Sequence, residues 1–113
     1  MALSLTNLTE CGSAYTVDQI ASLADQAHAA GLPVHLDGAR FANALVSQNL
    51  SPAQMSWRAG VDVLTFGATK NGALGCEAII LFGDQKARYS ELQVRAKRAG
   101  HMPAKMRYLS TQM

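Results

Sequence analysis

The amino-acid sequence predicts an α/β fold: a partial three-layer αβα arrangement around a mostly parallel sheet, with one antiparallel strand at residues 78–82. Three observations carry this. Short apolar runs of strand length alternate with amphipathic stretches of helix length, the pattern of parallel strands joined by crossover helices. The passage from Phe66 to Ala78 is too short for a crossover, so the strand after it must run antiparallel to the one before. Finally, 49% of the 113 residues are hydrophobic and only 16% charged. That balance describes one core-forming domain or a piece of one, poor enough in charge that another chain, or chain lying outside these residues, is expected to cover part of its surface.

The elements follow in order. Leu3 and Leu5 alternate with Ser4 and Thr6, a short strand signal. Residues 7–14 are polar, contain a glycine and form a loop. Thr16 and Gln19 match a capping box, and Ile20, Leu23, Ala24 and Ala27 give the apolar stripe of a helix that stops at Gly31. Residues 33–37 read as a strand, and 40–48 as a helix with Phe41, Ala44 and Leu45 on one side. Ser51 and Pro52 form a second start signal, ahead of a short helix over 54–59 that ends at Gly60. Apolar runs at 61–66 and 78–82 are strands. A helix is predicted over 84–99, stopping at Gly100, and another begins at Met102. Trp57, Met102 and Met106 are read as packing residues.

Several function classes are disfavoured. A net charge of +2 gives no electrostatic footing for nucleic acid or a membrane surface. Cys11 and Cys76 have neither metal-ligand nor disulfide-framework spacing. No apolar run reaches transmembrane length and the start lacks the features of a signal peptide, so a cytoplasmic location is expected.

Two constellations carry the chemistry. In open α/β sheets, ligands bind outside the carboxyl ends of the strands. Asp37-Gly38-Ala39-Arg40 lies at one such end, with His35 on the same strand face as Asp37. Lys70 follows the strand 61–66, in a segment holding Gly67, Gly72 and Gly75. Apolar strands on both sides are expected to desolvate its amine, which favours the neutral nucleophile that a Schiff-base lysine needs. The structural alternatives are an Asp37–Arg40 ion pair that caps a helix, and a surface lysine.

The segments His35-Leu36-Asp37-Gly38-Ala39-Arg40-Phe41-Ala42-Asn43-Ala44 and Thr65-Phe66-Gly67-Ala68-Thr69-Lys70-Asn71-Gly72 together resemble the core of the threonine aldolase/β-eliminating lyase family. These are pyridoxal-phosphate enzymes of the aspartate-aminotransferase fold type. Glu10-Cys11-Gly12-Ser13-Ala14-Tyr15, Arg95 to His101 and Lys105-Met106-Arg107 also resemble the family pattern, so the likeness runs through nearly the whole chain.

The resemblance implies pyridoxal 5'-phosphate as cofactor, with Lys70 as the Schiff-base lysine and Asp37 paired with the pyridine nitrogen. It implies Arg40 as the grip on the amino-acid carboxylate. His35 is read as supporting the cofactor site through a bond to Asp37, or else as a satisfied core histidine. Lys97, Arg98 and Lys105 form, with Arg107, a basic cluster that either reaches the cofactor phosphate, within the chain or across a subunit interface, or is a solvated helix face. Residues 1–113 are expected to form a partial cofactor-binding large domain, with the phosphate-loop part and the small C-terminal domain lying outside them. The implied activity is cleavage of L-threonine or L-allo-threonine to glycine and acetaldehyde. The alternatives are β-elimination, transamination or a non-catalytic fragment. A homo-oligomer acting on a small amino-acid substrate is expected.

Overall fold

A computed structural model describes residues 1–113. Four strands form one sheet in the order β1 (Leu3–Thr6), β2 (Val34–Gly38), β3 (Val63–Gly67) and β4 (Glu77–Leu81). β1, β2 and β3 are parallel; β4 pairs antiparallel to β3, with Phe66 opposite Ala78. The predicted mixed sheet is thus observed, including its one reversed strand.

Helix α1 (Val17–Ala29) joins β1 to β2. Its start is fixed by the full capping box: the Gln19 N–H donates to Thr16 Oγ1 and the Thr16 N–H donates to Gln19 Oε1. α2 (Phe41–Gln48) and α3 (Pro52–Met55) lie between β2 and β3. The strand order advances in one direction, so right-handed crossovers place all three helices on one side. That side holds the core. Ile20, Ala24 and Ala27 of α1, Phe41 and Ala44 of α2, and Met55 of α3 close over Leu5, Val34, Leu36 and Leu64. Full burial of Ile20 or Leu36 contributes about 1.5–3 kcal/mol each by area. The Phe41 ring meets Phe66 edge-on at 6.3 Å, docking the first turn of α2 onto the end of β3.

The period of two sends Ser4, Thr6, His35, Asp37, Thr65 and Ile79 to the opposite face. A 3-10 stretch (Gly83–Arg88), α4 (Tyr89–Arg98) and α5 (Arg107–Ser110) follow β4. They enclose a cavity of about 790 Å³ between Thr65 and Ile79 on one side and Leu92, Ala96 and Met106 on the other. This supplies the third layer over one edge of the sheet. No helix is long and apolar enough to cross a membrane.

Four readings are corrected. The helix expected over 54–59 breaks at Ser56, whose hydroxyl donates to the Pro52 carbonyl at 2.6 Å; a 3-10 turn then covers Trp57–Ala59. The helix expected from residue 84 is 3-10 as far as Arg88. The helix expected from Met102 is confined to Arg107–Ser110. In both of these last cases no helix residue is buried. Trp57 and Met102 are exposed at 52% and 43%, and so do not pack in the core.

Candidate active site at the strand ends

Asp37 is the penultimate residue of β2, half-buried, on the face away from the core helices. Its Oδ1 accepts the Ala39 N–H at 3.0 Å, closing a tight turn that leads into α2. No other hydrogen bond within the chain reaches the carboxylate, so Oδ2 is available. The helix-capping Asp37–Arg40 ion pair is not formed, since the two ion pairs present are His28–Asp62 and Glu91–Arg95. Arg40 stands at the N-cap position of α2, half-buried, with its guanidinium uncommitted.

The close approach of β2 and β3 depends on two glycines. A Cβ on Gly38 would lie 2.8 Å from the Thr65 carbonyl oxygen and 3.1 Å from Phe41 Cβ. One on Gly67 would lie 3.2 Å from Ala39 Cα. The turn carrying Arg40 is therefore set directly against the end of β3, from which the chain passes through Ala68 into a 3-10 turn, Thr69–Asn71. Asn71 pins this turn by donating from Nδ2 to the Gly67 carbonyl at 3.0 Å, and Gly72 ends it at φ 96°. Lys70 is the central residue. The geometry brings Asp37, Arg40 and Lys70 to the carboxyl ends of two adjacent parallel strands.

Two expectations for the site, on Lys70 and His35, are corrected. Lys70 is exposed rather than desolvated by flanking strands, because its turn begins beyond the last residue paired in the sheet. His35 does not bond Asp37. Its Nδ1 meets Ser4 Oγ at 2.8 Å and its Nε2 meets Thr65 Oγ1 at 3.1 Å, so both ring nitrogens are engaged across the sheet. Lys97, Arg98 and Lys105 are exposed, and none forms a hydrogen bond or ion pair with the strand ends. The cavity beside them is lined by their neighbours Ala96, Gly100, His101 and Met106. On α4 the cations follow from helical rotation, which turns Lys97 and Arg98 away when Ala96 faces the cavity.

The sequence reading missed Ser4, Thr65 and Asn7. Strand parity was the signal for the first two, since both are polar on the face that His35 and Asp37 share. Asn7 continues the ladder beyond β1, its N–H donating to the Asp37 carbonyl at 3.1 Å. Its fully buried side chain accepts from the Tyr15 N–H and donates to the Tyr15 carbonyl. It thereby fixes both ends of the loop that carries Glu10, which is exposed.

Comparison with known proteins places the chain in a family. Residues 1–109 match the family model described as beta-eliminating lyase. The chain is 44% identical over 108 residues to a low specificity L-threonine aldolase of Pseudomonas aeruginosa, and 42% identical to one from another Pseudomonas strain. Each match covers 96% of this chain and 31% of the relative, so the chain spans about a third of the length of these curated relatives. A solved structure of threonine aldolase from Leishmania major matches with a TM-score of 0.63 at 33% identity, covering 72% of this chain and 24% of that one. The chain belongs to the beta-eliminating lyase family.

Proposed function

We propose that this chain carries the cofactor-anchoring lysine and the ring-binding acid of a pyridoxal-phosphate-dependent lyase that cleaves L-threonine or L-allo-threonine to glycine and acetaldehyde. One observation carries the reading: Asp37, with one carboxylate oxygen pinned and the other available, and the exposed amine of Lys70 project from neighbouring strand ends held in contact by Gly67 against Ala39. The donor set fits the group. A carboxylate, a primary amine and an uncommitted guanidinium are the three functions that a pyridinium, an aldehyde and an amino-acid carboxylate require.

When bound, pyridoxal phosphate supplies a sink for the electron pair left when a bond at the substrate's α-carbon breaks. Lys70 would hold the cofactor through its amine and release it as the substrate amine takes its place. Asp37 would hold a proton on the ring nitrogen through its available oxygen, favouring the charged, electron-accepting ring. Arg40 would bind the substrate carboxylate with two parallel N–H···O bonds and so orient the bond to be broken. The names of the Pseudomonas and Leishmania relatives support aldol cleavage.

A second reading, β-elimination, is favoured by the description of the family model itself. Product analysis separates the two. Acetaldehyde from L-threonine in the presence of pyridoxal phosphate, lost in Lys70→Ala, is the expected result. Pyruvate from L-serine without acetaldehyde from threonine would replace the first reading by the second, and neither product would contradict turnover by this chain on its own.

A further inference from the structure

Three side chains from three neighbouring strands are joined on the sheet face that carries Asp37. His35 of β2 stands between Ser4 of β1, at 2.8 Å from Nδ1, and Thr65 of β3, at 3.1 Å from Nε2. Ser4 is its direct register partner, whereas Thr65 is the register partner of Asp37. The Thr65 hydroxyl therefore lies beside the proposed ring-binding acid, and Thr65 also lines the 790 Å³ cavity together with Thr69, the neighbour of Lys70.

Hydroxyls donate and accept, while a neutral imidazole needs one partner of each kind. The trio is satisfied in either tautomer. When Nε2–H donates to Thr65 Oγ1, the threonine's own proton is released to point at a ligand. When Nε2 accepts, the oxygen lone pairs are left for a ligand donor. In both cases the bond to His35 holds the threonine oxygen in one rotamer.

We propose that His35 is a positioning residue. By holding Thr65 Oγ1 it fixes a hydroxyl next to Asp37 that hydrogen-bonds a polar group of bound pyridoxal phosphate, while its bond to Ser4 anchors the ring to the outer strand. This rests on the cofactor reading above and adds a residue pair to it. A purely structural tie across three strands would affect stability without affecting the ligand.

The test uses the whole chain in two arms. In the ligand-free protein, nitrogen-15 spectra of the His35 ring are expected to show the Nε2 signal moving in Thr65→Val, the Nδ1 signal holding, and Thr65→Ser restoring the parent pattern. An Nε2 signal unmoved by Thr65→Val overturns the positioning claim whatever the ligand does. In the second arm, pyridoxal phosphate is titrated. Thr65→Val and His35→Phe are each expected to weaken binding about tenfold, with the double variant no weaker than either single one. Losses that multiply in the double variant, or an unchanged affinity in Thr65→Val, overturn the ligand role and leave a structural tie. If the parent chain takes up no pyridoxal phosphate, the functional reading and the ligand role fall together, and the nitrogen shifts still decide whether His35 holds Thr65.

Discussion

Residues 1–68 carry seven of the chain's 18 Asp, Glu, Lys and Arg residues, the shorter stretch 69–113 carries the other eleven, and the two regions end in different states. Every buried residue lies in the first region, from Leu5 to Ala68. In the second, neither β4 nor any helical segment carries a buried residue, and Leu74, Ile79, Tyr89 and Val94 are exposed. Topology adds to this difference in charge. Strands β1 to β3 advance in one direction, so their crossovers stack three helices on one face and close a core there. β4 reverses after a tight passage with no crossover, and the elements that follow lie over the edge of the other face around an open cavity. The candidate site straddles this boundary. Asp37 and Arg40 belong to the packed region, and Lys70 stands just past its end.

If this contrast is sound, truncations should cost very different amounts on its two sides. Leu36→Ala, in the packed region, is expected to lower unfolding free energy by about 2–5 kcal/mol. Leu74→Ala, in the open region, should change it by no more than about 0.5 kcal/mol. Urea titrations of both variants check this, and similar losses would break the comparison. A smaller effect probes the junction. Gly38→Ala would push a methyl against the Thr65 carbonyl and Phe41, with an expected cost of about 1–3 kcal/mol. Because Gly38 abuts Asp37, that variant should also weaken pyridoxal-phosphate uptake, measured by absorbance titration. A further effect is local. Thr16→Ala removes one half of the α1 capping box and should cost about 1 kcal/mol by thermal melting, without altering cofactor uptake.

The same boundary divides what was legible in the sequence from what was not. Thr16 with Gln19, the stripe from Ile20 to Ala27 and the short passage before Ala78 are local signals, and each produced the expected element. Asp37 and Lys70 could be placed because strand ends are readable from apolar runs. The exposure of Lys70 could not, since burial is decided by what packs against a turn rather than by the residues flanking it. The helices expected beyond Asp84 were over-read at their starts: the first is 3-10 as far as Arg88 before α4 begins, and the second reaches α geometry only at Arg107. Ser56 misled in another way, its hydroxyl diverting a backbone carbonyl that helix pattern alone assigns to the ladder.

The most direct test is to trap the cofactor where it binds. The chain carries four lysines: Lys70, Lys86, Lys97 and Lys105. Incubation with pyridoxal phosphate, reduction with borohydride and peptide mapping should find the label on Lys70 well above the other three. Asp37→Asn should lower that preference and Lys70→Ala should abolish it. Label spread evenly over the four lysines, or concentrated on Lys97 and Lys105, would contradict the assignment of the strand-end site.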